Sequence, residues 1–274
     1  MYLIDEANPA EAPHDIEDTV LIHNSGTSRV DTAGLTRVLD NIGETITSIV
    51  IDSTSLLESS WFIKFLPNAA NLDVLGKRLR DLTALANMRN SVTTLRIAGA
   101  LIRDLSPIAN SKVVHLELTV NSKTQALDYA RYIHSSSSLK SVLILHWPFD
   151  DLSALPNGRF SEVRVEKAKI TNTAGINATA LTFVACKSLR ILSGIECESL
   201  YFLKCEYVDF DSIEPENKLV SLQITQQRQP INSLRFLTSC GYLRRLIISG
   251  TEVCPGAFED LTCAQHLKVA YIDA

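Results

Sequence analysis

Long apolar runs, glycine and proline are all scarce in this sequence of 274 residues. No stretch reaches the roughly 18 uninterrupted apolar residues that a membrane-spanning helix needs. Glycine and proline number only 11 and 9, whereas 46% of the residues are apolar. This composition excludes fibrous and intrinsically disordered proteins and indicates a folded chain with a sizeable core.

The N-terminus lacks both the basic start and the apolar segment of a secretory signal peptide. Residues 1–18 contain six acidic residues and no lysine or arginine, so the excess of negative charge lies there. The remainder is nearly neutral and offers no broad attraction for a phosphate backbone. We therefore expect a cytoplasmic protein with an acidic, partly disordered tail over residues 1–18, and with neither nucleic-acid nor membrane partners.

Sequence motifs for catalysis and for metal binding are missing as well. All six cysteines lie in the last third of the chain, and none has the C-x-x-C spacing of a zinc site. The sequence contains no G-x-S-x-G, H-E-x-x-H, P-loop or G-x-G-x-x-G motif. Cys263 and His266 are three residues apart, but we interpret the cysteines as packed structural thiols. We predict no catalytic residue, no metal site and no cofactor.

A short apolar pattern, L-x-x-L-x-L, recurs along most of the chain, as in Val92-x-x-Leu95-x-Ile97. The copies follow one another at steps of about 22 residues. In each copy the last two apolar residues flank a single position, as in a strand with one buried face. The intervening dozen or so residues suit the crossover that parallel strands require. The middle positions of the copies are Ile49, Leu72, Leu95, Leu116, Val142, Val163, Leu181, Leu200, Leu222, Leu246 and Ala270.

The pattern and its period resemble the leucine-rich repeat family over roughly residues 46–272. The resemblance implies an α/β repeat fold: a leucine-rich-repeat solenoid with a concave parallel sheet and about eleven repeats of about 22 residues. Family repeats place Asn, Cys or Thr three residues after the last apolar position, where the side chain bonds to neighbouring backbone. The matching residues are Thr54, Asn121, Cys186, Cys205 and Thr251.

Three segments follow from these patterns: the tail over residues 1–18, an N-terminal cap over residues 19–45 and the solenoid over residues 46–274. We expect a short amphipathic helix in the cap over residues 31–43. We also expect every patterned apolar residue to be buried and every residue between them to be exposed. Because Ala274 closely follows the last strand, we expect the outer edge of that strand either to be covered by its own return segment or to pair with a second copy or another protein.

Residues between the apolar positions form the candidate binding surface, since they point away from the core on the concave sheet. They include arginine and tyrosine side chains, which protein interfaces favour. Binding to another protein is therefore the function that this surface predicts. The candidate protein-binding residues are Arg96, Glu117, Lys140, Glu162, Arg164, Tyr201, Lys204, Gln223, Arg244, Arg245 and Tyr271.

Two functional interpretations remain open. In the first, the chain is a non-catalytic protein-binding module that resembles bacterial immunity or inhibitor proteins, which occlude a toxin or an enzyme. In the alternative, it is an effector or enzyme-associated leucine-rich-repeat protein that acts as a substrate-recognition scaffold. A surface adhesin of the internalin kind would need a signal peptide and an anchor, and neither is expected from these residues.

Overall fold

Parallel β-strands joined by short helices and turns make up the protein, as seen in a computed structural model. The structure describes residues 1–9, 18–26, 29–86, 91–98, 102, 104–155, 160–214, 217–264 and 266–273. The chain divides into two compact units, Met1–Leu139 and Lys140–Ala274. Within each unit, strands that follow one another in the chain are neighbours in a parallel sheet.

The first unit contains six described strands. They are β1 (Tyr2–Asp5), β2 (Thr19–His23), β3 (Ser48–Ile51), β4 (Asn71–Val74), β5 (Thr94–Ile97) and β6 (His115–Thr119). The α-helices are α1 (Thr32–Ile42), α2 (Ser106–Ala109) and α3 (Lys123–Ser135), and the 3₁₀ helices are Trp61–Phe65 and Thr83–Ala86. The helix predicted over residues 31–43 is α1, and the Asp31 side chain caps it by accepting a hydrogen bond from the Gly34 N–H.

The second unit contains seven described strands, connected by turns and short 3₁₀ helices. The strands are β7 (Ser141–Leu145), β8 (Phe160–Glu166), β9 (Ala178–Val184), β10 (Ser199–Leu203), β11 (Ser221–Thr225), β12 (Arg245–Ser249) and β13 (Val269–Asp273). The 3₁₀ helices are Phe210–Ser212, Arg235–Thr238 and Pro255–Cys263.

The repeating apolar residues set the register of the parallel strands in each unit. Leu72 lies opposite Ile49 and Leu95, and in the second unit Leu200 lies opposite Leu181 and Leu222. Every predicted middle position from Ile49 to Leu246 is almost completely buried. The predicted leucine-rich-repeat fold is therefore confirmed, with parallel strands that recur about every 22 residues.

The last repeat departs from the prediction of complete burial. Ala270 is exposed, and Leu267 and Ile272 are only half-buried. A repeat buries its apolar face against neighbouring repeats on both sides. In the described chain β13 pairs with β12 alone, so its apolar side chains are covered less well than those of the inner strands.

The predicted tail also departs from the structure, because its first residues belong to the sheet. Strand β1 pairs with β2, and Ile4 is 2% exposed. Glu6 is fully buried: its carboxylate accepts hydrogen bonds from Asn24 Nδ2, Ser55 Oγ and the Leu56 N–H. These partners satisfy a carboxylate that would otherwise be costly to bury. Residues 10–17 of the predicted tail lie outside the described residues.

Candidate functional site

A repeated backbone turn ends the strands of the second unit. The residue after each strand from β7 to β11 has a positive φ although none is glycine, and Gly250 occupies this place after β12. The N–H of each of these residues donates a hydrogen bond to the last carbonyl of the next strand, as Lys204 N does to Thr225 O at 2.9 Å. We call the five non-glycine residues the left-handed row: His146 (φ 63°), Lys167 (50°), Ala185 (52°), Lys204 (56°) and Gln226 (54°).

The left-handed turn controls which side chains face solvent. The last residue of each strand and the row residue that follows it are both at least partly exposed. The next residue turns inward and is buried in all six turns: Trp147, Ala168, Cys186, Cys205, Gln227 and Thr251. This buried residue is the third after the last apolar residue of the repeat, where the leucine-rich repeat family places Asn, Cys or Thr. In this unit that position therefore faces inward. In the first unit Thr54 and Asn121 are exposed, and Thr54 still bonds to backbone, since its Oγ1 accepts a hydrogen bond from the Asn24 N–H at 3.1 Å.

Buried thiols take part in this inward layer. Cys186 Sγ lies 3.5 Å from Val165 O, and Cys205 Sγ lies 3.6 Å from Phe183 O, so each donates to the carbonyl of a preceding strand. The hydrogen bond with Cys186 and burial raise the pKa of the Cys205 thiol, whereas the same hydrogen bond lowers the pKa of Cys186. Burial also raises the pKa of Cys197 to about 12 and that of Cys240 to about 11. Cys197, Cys205 and Cys240 are therefore neutral, packed thiols at physiological pH.

Two of the predicted binding residues, Arg96 and Glu117, lie in the first unit. They are cross-strand partners on β5 and β6, and Arg96 Nε lies 2.8 Å from Glu117 Oε1. Both side chains are partly exposed, at 44% and 28%. Each therefore neutralises the other on the open face of the sheet, the face that the apolar core does not cover.

The second unit brings together most of the other predicted residues. Arg164, Tyr201 and Gln223 occupy one register row on β8, β10 and β11, with Thr182 of β9 between the first two. Tyr201 and Gln223 are direct neighbours. Arg164 is held by Glu166, whose Oε1 lies 2.6 Å from Arg164 Nη2. This ion pair fixes the guanidinium over its own strand.

The other predicted residues of this unit lie around that row. Glu162 and Arg245 lie on β8 and β12, each two residues before the position that belongs to this row. Tyr271 is on β13 and is 54% exposed. Lys140 is exposed just before β7, and Lys204 belongs to the left-handed row. Arg244 is half-buried just before β12. Its guanidinium donates to the carbonyls of Gly241, Leu243 and His266, so it braces the chain ahead of β12.

Apolar residues also lie on this face, beside the predicted candidates. Leu143 and Ile247 share the register row of Tyr201, while Leu145, Val184 and Leu203 end their strands. All five side chains are half-buried. In the sequence, only their position in the strand indicates that these residues face outward. A strand with apolar residues on both faces appears as a continuous apolar run. The second-unit sheet face comprises Leu143, Leu145, Arg164, Thr182, Val184, Tyr201, Leu203, Gln223, Arg245, Ile247 and Tyr271.

Turns opposite the strands have a structural role. Asp81, Asp104 and Asp151 each accept a hydrogen bond from the backbone N–H two residues later, so these side chains cap the turns. The hydrogen bonds from Ser106 hold the pKa of Asp104 below its usual value. Among the residues that the structure describes, no group of three or more His, Cys, Asp or Glu could hold a metal ion. No described helix is both long and apolar enough to cross a bilayer.

Solved structures similar to this chain are known. No protein-family model matches the chain, and no curated protein matches it. An internalin from Listeria monocytogenes, known from a crystal structure at 1.91 Å resolution, is similar over 90% of this chain and 71% of its own length. The two sequences are 18% identical, and the TM-score is 0.46.

Proposed function

We propose that this chain is a non-catalytic protein-binding module whose second-unit sheet face contacts the partner. The observation that carries the proposal is the mixture of side chains on that face. Leu143, Val184, Leu203 and Ile247 are apolar, and Tyr201 stands between them on a sheet that hydrogen bonds hold rigid. Aromatic and apolar side chains on a rigid surface favour association, because little conformational entropy is lost on binding.

The narrower proposal is an immunity or inhibitor protein that neutralises a toxin by covering its active surface. It rests on the resemblance of the repeats to proteins of that kind, and a partner with toxin activity is its direct test. A gene for a toxin next to this one in the genome would support it. An effector-type scaffold that recognises a substrate for another enzyme would use the same face, and the identity of the partner distinguishes the two.

The experiment is an affinity purification from the source cell with three forms of the chain. The wild-type protein should retain a partner, and Tyr201→Ala should weaken that binding by about tenfold or more, as expected for a central aromatic contact. Tyr242→Ala is the matched control, since Tyr242 is 62% exposed but lies before β12, outside the second-unit sheet face. Equal retention by the wild type and Tyr201→Ala, or equal loss in both variants, would contradict the proposed surface.

A homodimer through strand β13 is a second, separate proposal about partners. In the described chain β13 pairs only with β12, and Val269 and Tyr271 are 50% and 54% exposed. Strand pairing between two copies would cover both residues and satisfy the open edge. Light scattering should then give a mass that rises towards twice that of one chain at micromolar concentration. A mass that stays monomeric throughout would rule the dimer out.

A further inference from the structure

The left-handed row suggests what kind of partner surface the chain recognises, and this inference rests on the proposed function. A left-handed backbone is unfavourable for residues with a side chain, and glycine adopts it at no steric cost. Gly250 shows that glycine serves this turn. The row nevertheless carries lysine at two positions, Lys167 and Lys204, both exposed. Strain retained beside a binding surface indicates that the side chains themselves have a use.

The two lysines carry charges that the chain leaves uncompensated. The nearby carboxylates already have partners: Glu166 with Arg164 at 2.6 Å, and Glu206 with Lys187 at 3.5 Å. Within the part of the chain that the structure describes, neither lysine of the row forms an ion pair. The row therefore presents two free ammonium groups, which favour carboxylates on a partner.

Apolar side chains lie next to Lys204 in the chain and on the neighbouring strand. Leu203 precedes Lys204, and Val184 is the cross-strand neighbour of Leu203 on β9. Both are half-buried on the open face. A partner that reaches the lysines would thus also cover apolar surface, so the complementary segment is amphipathic, with acidic and apolar stripes side by side.

Spacing selects the conformation of that segment. Lys167 and Lys204 follow β8 and β10, which are two strands apart, so their backbones are separated by about 10 Å. Seven residues of an α-helix rise by about 10.5 Å, and they return a side chain to nearly the same face. In an extended chain, side chains on one face repeat about every 7 Å, which does not match. We propose that the left-handed row and the adjoining apolar residues bind an acidic, amphipathic α-helix of the partner, with carboxylates seven residues apart on Lys167 and Lys204.

A synthetic peptide provides the probe. It is a fluorescein-labelled 21-residue helix with glutamates at seven-residue spacing beside a stripe of leucines. Binding to the full chain is measured by fluorescence anisotropy at low and at physiological salt. We expect Lys167→Glu and Lys204→Glu each to weaken binding about fivefold or more at low salt. The matched control is Lys218→Glu, an exposed lysine that precedes β11 at the opposite end of the strands, which should leave the affinity unchanged.

Lys204→Gly separates a binding role from a structural one. Glycine relieves the left-handed strain, so the melting temperature should rise by about 2 °C. The same change removes a cation, so the peptide should bind less tightly. If Lys204→Gly raises the melting temperature and leaves the affinity intact, the lysine has no role in binding and the proposal is wrong.

Three further outcomes would overturn the proposal. They are no binding of the peptide to the wild-type chain at low salt, equal binding of a proline-containing peptide of the same composition, and tighter binding of duplex DNA than of the peptide. None of these bears on the proposed function, which the Tyr201→Ala experiment with the natural partner tests independently. Conversely, a natural partner that needs Tyr201 but ignores both lysines would keep the proposed function and refute the acidic helix.

Discussion

At the scale of single residues, the left-handed row makes a prediction about stability. Ala185 has a φ of 52° and follows β9. Replacing it by glycine removes the steric cost of the left-handed conformation, which exceeds the entropy that glycine adds to the unfolded chain. We expect Ala185→Gly to raise the free energy of unfolding by about 0.5–1 kcal/mol in urea titrations.

The control for this prediction lies in the same strand. Ala180 is within β9 and does not have a positive φ, so Ala180→Gly should lower the free energy of unfolding by about 0.5–1 kcal/mol. If both glycine variants are destabilised alike, the left-handed conformation of Ala185 costs nothing and the argument for the row fails.

The buried thiols give a prediction about pH. Cys197 and Cys240 have pKa values of about 12 and about 11, above the roughly 8.5 of a thiol in an unfolded chain. A pKa that is raised on folding leaves stability intact below about 8.5 and lowers it as the pH rises from there through the native values. The free energy of unfolding should therefore fall between about pH 9 and pH 11, and Cys197→Ala together with Cys240→Ala should flatten that decline.

Alkylation by iodoacetamide at pH 8 checks the same thiols one by one. Cys254 is partly exposed, although its Sγ is 3.0 Å from Asn232 Oδ1, so it should react while Cys197 and Cys240 do not. Mass spectrometry of the digested native protein identifies the modified residue. Rapid modification of Cys197 at pH 8 would contradict its burial.

At the scale of elements, strand β1 depends on one buried carboxylate. Removing the Glu6 side chain would leave Asn24 Nδ2, Ser55 Oγ and the Leu56 N–H without their acceptor. Buried donors that lose their partner cost about 1–3 kcal/mol each. We expect Glu6→Ala to lower the free energy of unfolding by about 3 kcal/mol. Glu44→Ala, at an exposed position in the same unit, should change it by less than about 0.5 kcal/mol.

The strands inside the repeats could be predicted from the sequence because their apolar residues alternate at a constant step. Val142, Leu181 and Leu222 all lie in register where the pattern places them. Strand β1 could not be predicted in this way, because it has only four residues, lies in an acidic segment and contains no copy of the repeated apolar pattern. The burial of Glu6 depends on Asn24 and Ser55, and no local signal connects three residues so far apart in the chain.

The candidate site was predictable in part. Alternation places Arg164, Tyr201 and Gln223 on the open face, and the structure shows them in one register row. The left-handed row could not be predicted, because the usual signal for a positive φ is glycine and only Gly250 supplies it. The contacts of Arg244 could not be predicted either, because its guanidinium bonds to backbone carbonyls and one of them belongs to His266, which is far along the chain.

At the scale of the whole molecule, we propose that a partner protein binds to and covers the second-unit sheet face. The most direct measurement places a photo-crosslinking amino acid at position 201, or in a matched variant at position 242, and irradiates each protein in the source cell. We expect a covalent adduct with one discrete partner from position 201 and none from position 242. Adducts from position 242 alone would place the interface away from the sheet and rule out the proposed surface.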